Sequence, residues 1–289
     1  MTSNPKLRSR SSFRPRKQFA QHWLRSETAL EQIIEAAELD RGSESEGTSG
    51  DRILEIGPGT GILTTRLLPQ VASLVAVEID RDLCQKLTRK LGDRDNFLLI
   101  QGDFLQLNLE ELLADFPKFQ NPNKVVANIP YNITGPIIEK LLGKIASPAD
   151  KQYDSIVLLV QKEVGERLVA TPGSKTFGAL SIRVQYLASC ELIYDVPAKA
   201  FYPPPKVDSA VVRLRPRLIE NPAKNPRQLE TLIKLGFANR RKMLRNNLKS
   251  IIDVDELNQL LATLNLNPQC RAEDLSLRDW ITLSNSLNS

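Results

Sequence analysis

Histidine and cysteine are scarce in this chain, and long apolar runs are absent. The 289 residues include one histidine, His22, which excludes a metal site built from several imidazoles. Cys84, Cys190 and Cys270 are odd in number and far apart, which argues against a disulfide framework and a zinc cluster. No apolar run approaches the roughly 18 residues that a membrane helix needs. We therefore expect no metal centre, no membrane span and a reducing, cytoplasmic location.

The chain carries a modest excess of positive charge that is concentrated in two places. The net charge is +5 and the isoelectric point is near 9.1. Residues 1–25 contain no acid, and their basic residues are Lys6, Arg8, Arg10, Arg14, Arg16, Lys17 and Arg25. The second cluster consists of Lys234, Arg240, Arg241, Lys242, Arg245 and Lys249. Two such clusters fit either a polyanion that is contacted twice or a solvated tail and an ordinary basic helix.

Short apolar segments alternate with helix-like stretches through much of the chain. These segments are DRILEIG, LVAVEID, NFLLIQGD, KVVANIP and DSIVLLV. Runs that are apolar on both faces and separated by helices indicate a parallel sheet with helical crossovers. Right-handed crossovers then give a doubly wound α/β fold. CELIYDVP and KVDSAVVRL look like two later strands that complete the sheet, so we predict an α/β, Rossmann-like domain.

The pattern changes near residue 225, where strand-like segments stop and helical periodicity takes over. QLETLIKLGFANRRKMLRNNL and VDELNQLLATLNL both have apolar residues at helical spacing. We predict a basic flexible arm at residues 1–17 and a Rossmann-like domain at residues 18–215. A linker at residues 216–224 then leads to a small all-helical domain at residues 225–289.

Motifs at the ends of three successive predicted strands indicate a cofactor site. EIGPGTG places glycines such as Gly57 at alternate positions, where the backbone can pass close to a ligand. The spacing differs from dinucleotide-binding and P-loop motifs, which disfavours phosphate binding. Glu78 follows at the distance of a ribose-binding carboxylate, and Asp103 could accept from an adenine amine. Either acid alone could cap a helix, but the ordered set describes an adenosine cofactor without phosphates, S-adenosylmethionine.

The fourth predicted strand ends in the unusual sequence Asn-Ile-Pro-Tyr, from Asn128 to Tyr131. The Asn128 side-chain oxygen and a nearby backbone carbonyl could accept from a purine amine, which is otherwise a poor nucleophile. Pro130 would fix that backbone, and Tyr131 offers a face on which a flipped base can stack. Read in isolation, Asn128 could also begin a turn and Tyr131 could be a core residue. With the three upstream motifs, we predict that this segment is catalytic.

Several motifs together resemble one enzyme family. They are FAQHWL, EIGPGTGILT, VEID, GDFL, NIPYNI, QKEVGERLVA, FYPPPKVDSAVVRL and FANRRKMLRNNL. This set is similar to the ribosomal RNA adenine dimethyltransferases, in particular the small-subunit rRNA dimethyladenosine transferases, also known as kasugamycin-sensitivity methyltransferases. The resemblance implies S-adenosylmethionine-dependent dimethylation, at N6, of two adjacent adenosines in the 3′-terminal hairpin loop of small-subunit rRNA. The substrate would be a pre-ribosomal particle, and we expect the enzyme to act as a monomer.

The resemblance also implies roles for individual residues. The implied cofactor contacts are His22, Leu24, Gly57, Glu78, Asp103 and Asn128, and the implied catalytic residues are Asn128, Pro130, Tyr131 and Phe201. Phe201 would pack against the target base opposite Tyr131, although its Pro-rich loop could simply brace the site. His22 and Trp23 are departures, because the family usually has Asn and Phe there. If the cofactor contact at His22 uses the backbone, the change is harmless, whereas a contact through the imidazole could make cofactor affinity sensitive to pH.

Three arginines of the second basic cluster are candidate RNA contacts. We predict that Arg240, Arg241 and Arg245 lie on one helix and contact RNA phosphates.

A large-subunit rRNA methyltransferase of the macrolide-resistance type is the first alternative function, because it would share the glycine turn and the Asn-Ile-Pro-Tyr segment. A non-catalytic RNA-binding assembly or transcription factor is the second alternative, and the intact Asn-Ile-Pro-Tyr segment argues against it.

Overall fold

The structure, a computed structural model, describes residues 22–42 and 50–287. The predicted basic arm at residues 1–17 lies outside these ranges. The strands are β1 (Trp23–Leu24), β2 (Arg52–Ile56), β3 (Ser73–Glu78), β4 (Phe97–Gln101), β5 (Lys124–Asn128), β6 (Gly143–Lys144), β7 (Ser147–Pro148), β8 (Ser155–Gln161), β9 (Ala188–Val196), β10 (Phe201–Tyr202) and β11 (Ser209–Pro216). The helices are α1 (Glu27–Ala37), α2 (Ile62–Leu67), α3 (Arg81–Leu91), α4 (Leu109–Leu113), α5 (Thr134–Leu142), α6 (Lys162–Val169), α7 (Ala179–Leu187), α8 (Pro226–Gly236), α9 (Leu244–Leu248), α10 (Val254–Thr263) and α11 (Leu277–Ser286).

Seven strands form one central sheet in the order β4-β3-β2-β5-β8-β11-β9. The first five strands of this order are parallel, and β11 runs antiparallel to both of its neighbours. The order reverses between β2 and β5, which is the switch point where ligands bind in open α/β sheets. The predicted Rossmann-like architecture is confirmed.

Alternate residues of the central strands enter different halves of the core. Val125 belongs to a cluster on one side of the sheet, and its neighbour Val126 belongs to the cluster on the other side. Leu74 and Val75 of β3 divide in the same way. Because both faces are covered, the strands are apolar at nearly every position rather than at every second one. This explains the continuous apolar runs in the sequence.

The helices near the C terminus of the chain, α8 to α11, pack into the same hydrophobic core as one face of the sheet. Buried residues form one cluster that runs from β2 and β5 through α7 to α8 and α11. Trp280 is fully buried there and stacks on Phe237 at 5.8 Å between ring centroids. A side chain at Gly236 would collide with the Trp280 ring, so glycine permits this close approach. The sheet and the helices are therefore continuous in packing, and their division into two domains stays a prediction.

The predicted single helix carrying Arg240 and Arg245 is wrong. Helix α8 ends at Gly236 and α9 begins at Leu244, so Arg240 lies in the turn between them. The Asn247 side-chain amide donates to the carbonyls of Gly236 and Asn239, at 2.6 and 3.1 Å. This side chain satisfies carbonyls at the end of α8 and stabilises the turn. No helix in the described ranges is long and apolar enough to cross a membrane.

Candidate active site

A cleft at the carboxyl ends of β2, β3, β4 and β5 gathers most of the predicted site residues. It encloses about 1070 Å³ of empty space, part of which is open to solvent. Its lining includes His22, Leu24, Gly57, Glu78, Asp103, Asn128, Pro130 and Tyr131. Parallel strands bring their carboxyl ends to one edge, so residues spread over more than 100 positions meet here.

The glycine turn after β2 adopts a backbone that other residues avoid. Gly57, Gly59 and Gly61 have φ angles of +68°, +59° and +74°. At Gly61 a Cβ atom would also lie 2.6 Å from Leu87. Left-handed backbone costs non-glycine residues roughly 1–2 kcal/mol each, so alternate glycines allow the chain to turn from β2 into α2 at the floor of the cleft.

Glu78 connects the end of β3 to this turn. Its carboxylate accepts hydrogen bonds from the backbone N–H of Gly59 at 3.0 Å and of Asp80 at 2.9 Å. Burial raises the pKa of Glu78, and these two donors oppose that rise. Each carboxylate oxygen can accept a further bond, so Glu78 can hold the turn and still accept from a ligand.

Glu55 is a cleft residue that the sequence analysis did not select. It is 1% exposed, it lines the cleft, and its Oε2 atom has no hydrogen-bond partner within the described ranges. Burial raises its pKa to about 8, hydrogen bonding from Thr64 opposes this rise, and the nearby charge of Glu78 adds to it. A carboxylate within the buried sequence RILEI was the available signal, because a buried charge requires a specific partner.

Asp103 lies in a braced loop after β4. Its carboxylate accepts from the backbone N–H of Leu105 at 3.0 Å. Lys140 donates to the carbonyls of Leu105 and Leu107, and its ammonium lies 5.1 Å from the centre of the Phe104 ring. Burial lowers the pKa of Lys140, and the charge of Asp103 opposes this. The loop thus presents a carboxylate beside an aromatic ring.

The Asn-Ile-Pro-Tyr segment combines a fixed ring with a free amide. Ile129 is buried, and the Tyr131 hydroxyl forms a 2.5 Å hydrogen bond with the hydroxyl of Ser209. Burial raises the pKa of Tyr131, which keeps this phenol neutral. By contrast, the Asn128 side chain makes no hydrogen bond to any described residue, although it lines the cleft. The amide is available to a ligand while the ring beside it is held in place.

The chain near His22 closes one side of the cleft. Strand β1 pairs with β10 antiparallel, and the His22 Nδ1–H donates to the carbonyl of Pro203 at 2.8 Å. The imidazole also stacks on the Tyr131 ring, at 5.9 Å between centroids. His22 therefore uses its side chain to join the Pro-rich loop to Tyr131.

Phe201 does not line the cleft. Its side chain is 4% exposed and belongs to the core cluster that includes Leu24. Stacking of Phe201 on a target base would require β10 to move. This contact stays a prediction.

Comparison with known proteins assigns the chain to a family. A family model described as "Ribosomal RNA adenine dimethylase" matches residues 12–289. The chain belongs to this family. It is therefore an rRNA adenine dimethyltransferase, and its cofactor is S-adenosylmethionine.

Individual relatives agree with this assignment. The chain is 70% identical to "Ribosomal RNA small subunit methyltransferase A" of Nostoc punctiforme, over 95% of each chain. It is 26% identical to a solved dimethyladenosine transferase from Plasmodium falciparum, with a TM-score of 0.72 over 92% of this chain and 98% of that one. The 23S rRNA methyltransferase ErmE is 25% identical, with a TM-score of 0.69 over 92% of this chain and 100% of that one.

The cleft of the enzyme has groups that fit its cofactor. The unpaired buried oxygen of Glu55 suits the positively charged amino group of the methionine part. Ile79 lines the same cleft and is exposed despite being apolar, as expected for a residue that covers a flat ring. No cluster of three or more potential metal-binding side chains occurs among the described residues.

The three predicted RNA-binding arginines of the enzyme differ in their surroundings. Arg240 donates to the Glu273 carboxylate at 2.8 Å and to the carbonyls of Lys175 and Phe177 at 2.8 and 3.0 Å. Arg245 donates to the Asn258 side-chain oxygen at 3.4 Å, and the side chain of Arg241 is exposed. Arg240 therefore joins the helices of residues 225–289, the helical tail, to the loop before α7. RNA binding by all three arginines stays a prediction.

Proposed function

We propose that this enzyme dimethylates, at N6, two adjacent adenosines in the hairpin loop near the 3′ end of small-subunit rRNA. The observation that carries the proposal is the uncommitted Asn128 amide beside the anchored Tyr131 ring, at the edge that also holds Glu78. The choice of the small-subunit RNA is supported by the similarity to ribosomal RNA small subunit methyltransferase A of Nostoc punctiforme, which is 70% identical.

Cofactor binding would divide among the strand ends. Glu78 would accept from the ribose hydroxyls and Asp103 from the adenine amine, while Gly57 would let the backbone approach closely. Leu24 and His22 would close the site from the side of β1. Glu55 would accept from the amino group of the methionine part. When bound, the cofactor supplies an electrophilic methyl group on a positively charged sulfur.

The residues after β5 would prepare the acceptor. The lone pair of an adenine amine is delocalised into its ring, which makes the amine a weak nucleophile. Hydrogen bonds from its N–H groups to the Asn128 oxygen and a carbonyl near Ile129 would localise that lone pair on nitrogen. Pro130 would keep this carbonyl oriented, and Tyr131 would support the ring by stacking.

Charge and protons balance without a strong base. Transfer would form one N–C bond and break one C–S bond, and the positive charge would pass from the cofactor to the amine. The methylated amine becomes positively charged and acidic, so its proton passes to water. The monomethylated nitrogen would retain one N–H, which can donate a hydrogen bond to the Asn128 oxygen. A second methyl transfer would then follow with fresh cofactor.

Selection of the RNA would reside outside the cleft. We assign it to the helical region at residues 225–289, with Arg241 and Arg245 on its surface, and to the basic arm at residues 1–17. Arg240 would contribute to RNA binding by holding this region in position. The enzyme would act as a cytoplasmic monomer on a pre-ribosomal particle.

The experiment uses purified enzyme, labelled S-adenosylmethionine and ribosomal particles from cells that lack the modification. Small-subunit and large-subunit particles are tested side by side, and labelled nucleosides are separated after digestion. We expect dimethyladenosine in two adjacent positions of small-subunit rRNA. Label in large-subunit rRNA alone would favour the macrolide-resistance type, and absence of labelled dimethyladenosine from all RNA would favour the non-catalytic role.

A further inference from the structure

Strand β10 exposes one aromatic ring beside the cleft. Phe201 points into the core, whereas the next residue, Tyr202, is 47% exposed. Tyr202 pairs with Trp23 of β1, and Trp23 lines the cleft. Two-residue alternation in a strand explains the opposite directions of the two rings. A large aromatic side chain is thus presented to solvent next to the strand that closes the active site.

A positive charge lies against this exposed ring. The guanidinium carbon of Arg25 is 4.1 Å from the centroid of the Tyr202 ring. The Arg25 backbone N–H donates to the carbonyl of Ala200 at 2.7 Å, which fixes its position beside β10. Within the described ranges Arg25 has no carboxylate partner. Its charge is therefore available to an anion from outside.

The pair is also connected to the catalytic segment. Pro203 follows Tyr202, and its carbonyl accepts from the imidazole of His22. His22 in turn stacks on Tyr131. His22 therefore contacts both the Tyr131 ring and the residue that follows Tyr202.

We propose that Tyr202 and Arg25 bind the unpaired nucleotide next to the target adenosine. This inference rests on the proposed function, since it takes the target base to be in the cleft. The neighbouring base stacks on Tyr202, and its phosphate is neutralised by Arg25. Aromatic stacking tolerates any base because every base has a flat face. With two adjacent target adenosines, the pair holds one while the other occupies the cleft.

The test measures RNA binding with a fluorescent probe. The probe is a single-stranded oligoribonucleotide with 2-aminopurine next to an adenosine, and stacking quenches its fluorescence. We expect Tyr202→Ala and Tyr202→Leu to weaken binding about 5- to 150-fold and to reduce quenching. Tyr202→Phe should retain both because it keeps the ring. Arg25→Ala should reduce, by about one, the slope of the logarithm of the binding constant against the logarithm of salt concentration.

Controls separate this proposal from folding and from the proposed function. Phe116→Ala removes a similarly exposed ring that does not line the cleft, and it should leave RNA binding unchanged. Cofactor affinity and melting temperature should match wild type in the Tyr202 variants. Wild-type probe affinity and quenching in both Tyr202→Ala and Tyr202→Leu would overturn the proposal. Failure of wild-type enzyme to methylate small-subunit particles would instead overturn the proposed function.

Discussion

Asn128 at the cleft edge of the sheet and Arg240 in the helical tail differ in how their side chains are hydrogen-bonded. At the edge, the Asn128 amide and one oxygen of Glu55 have no partner within the described ranges. In the tail, Arg240 is bound to Glu273 and to two carbonyls, and the amide nitrogen of Asn247 is bound to two more, although the Asn247 Oδ1 atom has no partner within the described ranges. Buried polar groups are normally satisfied. An unpaired polar group that lines the cleft therefore indicates a ligand, and an arginine bound to a carboxylate and two carbonyls indicates a structural role.

The largest expected effect concerns Glu55 and pH. Because its folded pKa is about 8 and its unfolded value is near 4.5, the native state keeps a proton that the unfolded state loses between these values. Without cofactor, wild-type stability should fall by roughly 4 kcal/mol from this group between pH 5 and pH 8. Glu55→Gln should remove that contribution, as urea unfolding at several pH values can measure. Identical pH dependence in the two proteins would contradict a buried Glu55 that is protonated in the native state.

The second effect concerns the cofactor. Glu78→Ala should weaken S-adenosylmethionine binding about 100-fold, because two hydrogen bonds to a charged acceptor are lost. Glu78→Gln keeps one acceptor oxygen and should lose less. Equilibrium binding measured by calorimetry would check both variants, with melting temperatures to report on the glycine turn. Unchanged affinity in Glu78→Ala would remove the ribose-binding role.

The third effect concerns the tail. Arg240→Ala should lower the free energy of unfolding by about 1 kcal/mol, because the Glu273 carboxylate and two carbonyls lose a donor that is itself partly exposed to water. Denaturant unfolding would check this. A variant as stable as wild type would show that these contacts do not stabilise the fold, and would contradict a structural role for Arg240.

The smallest effect provides the matched contrast. Arg241 is the next residue and is exposed. Arg241→Ala should leave stability within about 0.5 kcal/mol of wild type. It should weaken rRNA binding several-fold and lower the salt slope by about one, as binding titrations over a range of salt concentrations would show. Loss of stability without loss of RNA binding would reverse the contrast with Arg240.

The sequence predicted the cleft more accurately than the tail for a physical reason. Gly57, Glu78 and Asn128 each follow a strand, and the topology of a parallel sheet brings such positions together whatever their distance in the chain. Glu55 was missed because a residue within a strand can face either way, and the sequence does not say which carboxylate lacks a partner.

Long-range pairing is what the local pattern could not predict. Helical periodicity in the sequence continued through Arg240, but α8 ends at Gly236. The residues that pack against this end are Trp280, which is distant in the chain, and Asn247, which lies beyond the turn. Phe201 and Tyr202 look equivalent in a Pro-rich loop. Only pairing of β10 with β1 determines that one is buried and the other exposed.

The most direct test measures cofactor binding and methyl transfer on one variant, Asn128→Ala, with Asn132→Ala as an exposed neighbour for control. If Asn128 acts chiefly on the acceptor amine, single-turnover transfer should fall about 100- to 1,000-fold, whereas the dissociation constant of S-adenosylmethionine should change far less. Transfer at the wild-type rate in Asn128→Ala, or a loss of cofactor affinity as large as the loss of rate, would contradict this role.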